Sequence, residues 1–125
     1  MATPSDRVYS ETHEWHKVDG DTLTLGLTTF AVDQLTDVTF VEMKPVGTKF
    51  KAGDPIGEVE SVKTTSDVYC AVSGEIIQVN SAAVEDPSLL NSDPYGQGWL
   101  VKVKVSDPAG LKKLMDAATY DKQHH

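Results

Sequence analysis

The sequence predicts a mostly β domain, a hybrid of barrel and sandwich with two antiparallel sheets and peripheral helices. Residues 22–28 alternate strictly between leucines and mostly threonines, and residues 99–105 repeat this pattern with valines and lysines. A period of two is typical of a half-buried strand. Four shorter candidate strands, bounded by Gly, Pro, Asn or Asp, are residues 38–43, 55–60, 67–72 and 75–79. Short strands at this spacing favour a sandwich or a barrel.

A helix is expected at the C-terminal end. Asp107-Pro108 offers an N-cap residue followed by proline at the first helical position. Apolar residues then recur at i, i+3, i+4 and i+7, namely Leu111, Leu114, Met115 and Ala118. This spacing predicts one helix with a single apolar stripe. The polar tail, residues 121–125, is expected to fray.

Two shorter helices are expected between the strands. One opens at residue 28 or 29, runs to about residue 37 and buries Ala31 and Leu35, which lie one turn apart. The other starts at Ser81 and must end near Asp86, because Pro87 disfavours a helical conformation in the residue before it.

Length, charge and hydropathy limit the classes of function. A chain of 125 residues and 13.6 kDa suits a single domain, expected to span residues 1–125 with its core at about 8–120. The formal net charge of −8 disfavours nucleic-acid binding, because phosphate contacts need Lys and Arg, and favours encounter with positively charged proteins. The longest apolar run, residues 68–72, is far shorter than the roughly 20 residues of a membrane span.

The cysteine and histidine residues predict no metal site. Cys70, the single cysteine, excludes an internal disulfide and is expected to be a small buried residue within its apolar run. His13 and His16 lie three residues apart and could share one face of a helix, but no cysteine or carboxylate pattern completes a ligand set. They are interpreted as surface or packing histidines.

The N-terminal residues predict a cytoplasmic protein of the bacterial type. Residues 1–7 have neither the apolar stretch of a secretory signal nor the Arg-rich pattern of a transit peptide. A mitochondrial location would require that a transit peptide had been removed.

Lys63 is the most informative position. Two apolar strands flank a short polar centre, which predicts a hairpin with Lys63 at its tip. One reading is a solvated charge that keeps the turn soluble, and the other is an amine that an enzyme acylates. Spacing alone leaves both open.

Several motifs carry a resemblance to a known family. Glu60-Ser61-Val62-Lys63 is followed by Ser66-Asp67-Val68-Tyr69, Thr12-His13-Glu14-Trp15 stands near the N-terminus, and residues 91–100 lead into the last strand. In order and spacing these pieces resemble the glycine cleavage system H protein, a lipoyl carrier of the biotinyl/lipoyl-attachment superfamily. The resemblance spans roughly residues 8–120.

The resemblance implies a carrier and not an enzyme. It implies lipoate in amide linkage on Lys63, flanked by Glu60, Ser61, Val62 and Thr64. The lipoyl group would take the aminomethyl group of glycine from a pyridoxal-phosphate-dependent glycine decarboxylase to an aminomethyltransferase that uses tetrahydrofolate. The flavoenzyme dihydrolipoamide dehydrogenase would then reoxidise it. Lipoylating enzymes are further implied partners, and a monomer is expected.

In this family the loaded arm can fold back against the protein, which shields its cargo from water. Glu14 and Asp67 lie beside the matched motifs and are candidates for pairing with the protonated amine of the cargo. The alternative for Glu14 is a simple surface acid. Glu58 and Glu60 alternate onto one strand face and are interpreted as solvated acids or as recognition acids for the lipoylating enzyme.

Other functions remain open. Biotin carriers use a similar hairpin lysine but typically flank it with methionines, where this chain has Val62 and Thr64. Lipoyl domains of 2-oxo acid dehydrogenases usually place Asp just before the lysine and are shorter. An H-like lipoate-binding protein of another pathway, such as sulfur oxidation or lipoyl relay, is a closer alternative, and an interaction domain that is never modified is the last.

Overall fold

Two antiparallel sheets form the framework of the computed structural model, which describes residues 4–123. In chain order the strands are β1 (Val8–Tyr9), β2 (Glu14–Asp19), β3 (Thr22–Leu27), β4 (Val38–Met43), β5 (Lys49–Phe50), β6 (Pro55–Ser61), β7 (Thr65–Tyr69), β8 (Ser73–Val79) and β9 (Val101–Asp107). The larger sheet has the order β1-β2-β3-β9-β8-β5, and the smaller has the order β4-β6-β7. The predicted mostly β fold with two antiparallel sheets is confirmed.

The core lies between the two sheets. The large sheet contributes alternating apolar residues of the two segments with a period of two, including Leu23, Leu25 and Val103, while Val105 is only half-buried. The small sheet contributes Val41, Ile56, Val59 and Val68, all at most 2% exposed. Cys70 is buried as predicted, and this burial raises the pKa of its thiol to about 11.

Helices flank the sheets: α1 (Thr29–Leu35), α2 (Ser81–Glu85), α3 (Leu89–Ser92) and α4 (Ala117–Gln123), with a 3₁₀ helix at Pro108–Lys113. Thr28 caps α1 by accepting a 3.2 Å hydrogen bond from the Ala31 amide. Leu35 is buried as predicted, but Val32 is the second buried residue and Ala31 is half-buried. α2 ends before Asp86, as the following proline predicts.

The predicted C-terminal helix is present as α4, but the prediction that one continuous helix starts after Asp107 is wrong. Asp107 caps the 3₁₀ helix by accepting a 3.0 Å bond from the Ala109 amide, and this 3₁₀ helix ends at Lys113. Met115 then exchanges two 2.8 Å backbone hydrogen bonds with Tyr9, which interrupts the helix because those groups cannot also bond within it. The four predicted residues therefore share no stripe, and Ala118 is exposed.

The two ends of the chain also differ from expectation. The helical face considered for His13 and His16 does not exist, since His16 lies in β2, which pairs with β1 and β3. Residues 121–123, predicted as part of a polar tail, are helical and belong to α4, while His124 and His125 lie outside the described residues. Within residues 4–123, no helix is both long and apolar enough to cross a membrane.

Candidate functional site

The hairpin between β6 and β7 places Lys63 at its tip, as predicted. Ser61 closes this turn with both its backbone and its side chain. Its amide donates a 2.8 Å hydrogen bond to the Thr64 carbonyl. Its Oγ accepts from the amides of Thr64 at 3.1 Å and Lys63 at 3.3 Å. A single serine therefore fixes the backbone on both sides of the lysine.

The Lys63 amine is open to solvent. Lys63, Val62 and Thr64 are all exposed, with Val62 at 68%. Across residues 4–123 the Lys63 ammonium group forms no ion pair. The Val62 amide donates a 3.2 Å bond to the Asp37 carbonyl, which fastens the tip to the residue before β4. The backbone of the tip is held while the amine stays accessible.

A cleft of about 430 Å³, here called the hairpin cleft, opens beside this tip. Its walls are the loop before β2, one side of α1, and the first residues of β7 together with Thr64. The apolar part of the lining comprises Leu27, Phe30, Ala31 and Leu35. Glu14 and Asp67 line the same cleft, so the structure brings together the two acids singled out from the sequence.

Glu14 is a buried acid, with 1% of its surface exposed, so the surface-acid alternative is wrong. Its Oε1 accepts hydrogen bonds from the hydroxyls of Ser10, at 2.7 Å, and Thr12, and its Oε2 accepts from the Tyr69 amide at 3.3 Å. Burial raises the pKa of Glu14 to about 7, although these hydrogen bonds oppose the shift. At neutral pH both of its protonation states are accessible.

Asp67 lies at the rim of the hairpin cleft and is exposed. The Tyr69 hydroxyl donates a 3.4 Å bond to its Oδ2, and the charge of Asp67 raises the pKa of that hydroxyl. In the small sheet Asp67 pairs with Glu58, which with Glu60 is half-buried on the face opposite the core. Asp67 therefore belongs both to the cleft and to an acidic sheet face.

The sequence did not reveal the residues that hydrogen-bond to Glu14 or the residue that connects the two walls of the hairpin cleft. Ser10 and Thr12 could have been found, because two hydroxyl residues just before a glutamate are a local signal for bonds to its carboxylate. Tyr120 hydrogen-bonds to both His13 and Thr28. This role could not have been found from the sequence, because nothing near Tyr120 indicates these partners. The residues described form no cluster of three or more potential metal ligands.

Fold and site together define a class of protein. A two-sheet β domain that displays one accessible lysine on a tight hairpin has the architecture of the lipoyl- and biotinyl-attachment domains.

Comparison with known proteins narrows this class. The family model described as glycine cleavage H-protein matches residues 7–125. The glycine cleavage system H protein of Symbiobacterium thermophilum is 50% identical over 118 residues, 94% of this chain and 92% of that protein. The glycine cleavage system H protein 1 of Caldanaerobacter subterraneus is 51% identical over 122 residues, 98% of this chain and 97% of that protein.

A solved structure agrees with these relatives. The crystal structure of a glycine cleavage system H protein from Mycobacterium marinum matches with a TM-score of 0.89 and 41% identity, covering 97% of this chain and 98% of that one. This chain belongs to the glycine cleavage H-protein family.

Proposed function

We propose that this protein is the lipoyl carrier of a glycine cleavage system, with lipoate joined through an amide to Nζ of Lys63. The observation that carries the proposal is the exposed lysine at the tip of a closed hairpin, directly beside a cleft that has an apolar patch and two carboxyl groups in its lining. Membership of the family supports it.

The hairpin cleft fits the arm. A lipoyl-lysine is a long apolar chain, and about 430 Å³ lined by Leu27, Phe30, Ala31 and Leu35 suits such a chain. When attached, lipoate supplies the sulfur pair that carries the one-carbon cargo and its electrons. Lys63 and Thr64 connect the tip to the cleft wall, so the arm would enter the cleft from its own hairpin.

Glu14 and Asp67 would hold the cationic end of the cargo. An ammonium group in the cleft favours the ionised form of Glu14, so its binding should lower the pKa of Glu14 from about 7. Asp67 adds a second negative charge at the rim. The arm itself, packed against the apolar part of the lining, would limit the access of water to the cargo. This matters because hydrolysis of an aminomethyl thioether consumes one water and releases formaldehyde and ammonia, leaving the thiol.

The protein's own role is presentation and docking, without catalysis. Its partners would be the pyridoxal-phosphate-dependent glycine decarboxylase, the aminomethyltransferase with tetrahydrofolate, dihydrolipoamide dehydrogenase with FAD, and the lipoylating enzymes. The net charge of −8 suits brief encounters with several partners, since long-range charge raises association rates more than affinity. A cytoplasmic monomer stays a prediction, as does the single domain.

The test is an intact mass of the protein expressed with lipoate and a competent lipoylating system, followed by peptide mapping. A lipoyl increment on Lys63 and on no other lysine is expected. Lys63→Arg keeps the charge and should carry no increment, while Lys102→Arg, on the outer face of β9, should be modified like the wild type. A biotin increment at Lys63, or none, would overturn the proposal.

A second assay separates glycine cleavage from the nearest alternative. With the three partner enzymes present, the lipoylated protein should support release of carbon dioxide from glycine, and Lys63→Arg should not. A protein that is lipoylated on Lys63 but inactive in this assay would be an H-like lipoate carrier of another pathway.

A further inference from the structure

One buried hydroxyl joins the two walls of the hairpin cleft. Tyr120 of α4 is 1% exposed, and its ring stacks on Tyr9 at 5.0 Å between centroids. Its hydroxyl lies 2.7 Å from Nδ1 of His13, which lines the cleft on the side of the N-terminal loop. It also lies 2.8 Å from Oγ1 of Thr28, the residue that caps α1, the opposite wall.

The direction of the hydrogen bond between Thr28 and Tyr120 follows from the burial of Thr28, which is 0% exposed. Its Oγ1 already accepts from the Ala31 amide, so its own proton is donated to the Tyr120 oxygen. The Tyr120 hydroxyl is also hydrogen-bonded to Nδ1 of His13. A continuous chain of hydrogen bonds therefore connects α1 to the loop before β2.

The backbone of His13 needs to be held. Its φ of 72° lies in the left-handed region, which residues other than glycine rarely adopt. The Thr28 amide donates a 3.0 Å bond to the His13 carbonyl, and the His13 ring packs against Phe30 of α1 at 4.6 Å between centroids. Since Glu14 follows directly, the position of His13 also sets the position of that carboxyl group.

We propose that Tyr120 is a positioning residue for the lipoyl arm: its hydroxyl ties His13 to the start of α1 and so fixes the width of the hairpin cleft and its ability to exclude water. This inference rests on the proposed function, because it assigns Tyr120 a role toward a cleft that is meant to receive the arm. The C-terminal helix is thereby part of the cargo site without touching the cargo.

The test uses Tyr120→Phe, which keeps the ring stacked on Tyr9 and removes only the hydroxyl. The matched control is Tyr9→Phe, which removes a hydroxyl from the same aromatic cluster, but one that donates to the Pro4 carbonyl and not to a cleft wall. In the unlipoylated protein, the ring ¹⁵N shift of His13 Nδ1 should be the same in wild type and Tyr9→Phe, and should change in Tyr120→Phe, which removes its hydrogen-bond partner. Hydrogen exchange of the Thr28 amide should be faster only in Tyr120→Phe, by about threefold to tenfold, the value of one buried hydrogen bond.

In the lipoylated and loaded protein, release of formaldehyde should be faster by a similar factor in Tyr120→Phe and unchanged in Tyr9→Phe. His13→Asn removes the other partner of the hydrogen bond between His13 and Tyr120. Asn tolerates the left-handed backbone at this position, but its side chain cannot reach Tyr120. If the bond acts as one unit, the double variant should lose formaldehyde no faster than the faster single variant.

Two results would overturn the inference: equal effects of Tyr120→Phe and Tyr9→Phe on these measurements, or a lower Tm in Tyr120→Phe with an unchanged Nδ1 shift, amide exchange rate and hydrolysis rate. If Tyr120→Phe does not fold, an unchanged hydrolysis rate in His13→Asn would have the same meaning. Failure of the proposed function is recognised separately, because the absence of lipoate on Lys63 leaves the results for the Nδ1 shift and for amide exchange intact.

Discussion

The Glu14 carboxylate and the Tyr69 amide are hydrogen-bonded at 3.3 Å although 55 residues separate them in the chain. The bond joins β2 of the large sheet to β7 of the small one. Two residues further along, the pairing repeats, as Nε2 of His16 accepts a 3.2 Å bond from the Ala71 amide. The side chains of Glu14 and His16, which alternate along β2, thus accept hydrogen bonds from the amides of Tyr69 and Ala71, as the carbonyls of a neighbouring strand would.

The Glu14 carboxyl should make folding pH-dependent. Its pKa is raised from 4.5 to about 7 by burial, so protonation favours the folded state. This stabilisation is fully present below pH 4.5 and is lost as the pH rises through about 7. Relative to Glu14→Gln, the wild type should lose on the order of 3 kcal/mol of unfolding free energy between pH 4 and pH 8 in urea titrations.

The side-chain amide of Glu14→Gln can preserve the hydrogen bonds that the Glu14 carboxyl group makes. The Gln oxygen can accept from the Tyr69 amide while its nitrogen donates to the hydroxyls of Ser10 and Thr12. Glu11→Gln removes the same charge from an exposed residue of the same loop and controls for net charge. A pH dependence of Glu14→Gln that matches the wild type would contradict the prediction.

His16 should make the free energy of unfolding depend on pH in the opposite direction. Burial lowers its pKa from 6.5 to about 4, against a smaller opposing effect of the Glu14 backbone carbonyl. The unfolded chain then binds the proton more readily, so stability is present above pH 6.5 and is lost as the pH falls through about 4.

The variant His16→Gln isolates this pH dependence, since its side-chain oxygen can still accept from the Ala71 amide. Relative to His16→Gln, the wild type should lose on the order of 3 kcal/mol of unfolding free energy between pH 7 and pH 4. Between about pH 4.5 and 6.5 the contributions of Glu14 and His16 to the free energy of unfolding change with pH in opposite directions. In this range the free energy of unfolding of the wild type should therefore depend less on pH than that of either variant. A wild-type curve as steep as those of both variants would refute the assignment.

The two cleft acids should protect the cargo unequally. At pH 8, where Glu14 is ionised, Glu14→Gln should accelerate formaldehyde release by roughly tenfold or more, because it removes a buried charged partner. Asp67→Asn should accelerate it by about fivefold at most, because an exposed ion pair is weak. Asp33→Asn changes the net charge equally on the exposed side of α1 and should match the wild type.

The wild-type rate should itself rise as the pH falls below about 7 and Glu14 takes up a proton, with the midpoint displaced below 7 because the bound ammonium group lowers the pKa of Glu14. This rise should be absent in Glu14→Gln. Protection by Asp67 alone, with no effect of Glu14, would show that the buried carboxyl group does not bind the cargo.

Ser61 should matter for attachment more than for stability. Ser61→Ala removes the oxygen that accepts from the amides of Lys63 and Thr64, and it should lower the free energy of unfolding by about 1 kcal/mol. A less ordered tip should also lower kcat/KM for lipoylation of Lys63. Ser106→Ala, in exposed β9 sequence, is the matched control. Unchanged lipoylation kinetics in Ser61→Ala would mean that the modifying enzyme reshapes the turn itself.

Strands with one buried face could be predicted from the sequence, whereas β2 could not. In β3 the residues Leu23, Leu25 and Leu27 are buried while Thr22 and Thr24 are only half-buried, so the period of two is visible. In β2 both faces are buried at its start, since Trp15 packs in an aromatic cluster with Tyr9 while its neighbours bond to residues 69–71. Burial on both sides removes the alternation that identifies a strand.

In the candidate site, too, the features that depend on neighbouring residues could be predicted, whereas those that depend on residues distant in the chain could not. The hairpin at Lys63 depends on neighbours in sequence, and its position was predicted. The break in the C-terminal helix depends on Tyr9, more than 100 residues earlier, and no local pattern reports it. The burial of Glu14 required the approach of Tyr69, which is also visible only in the folded chain.

The place of β9 in the large sheet bears on how the protein is made. This strand lies between β3 and β8, yet it is the last of the nine strands to leave the ribosome. Until it arrives, β3 and β8 each present an unpaired edge and the core leucines of β3 lack a neighbouring strand. The large sheet therefore closes only after β9 has been synthesised, and a chain that stalls before residue 101 exposes the two unpaired edges of β3 and β8 to other nascent chains.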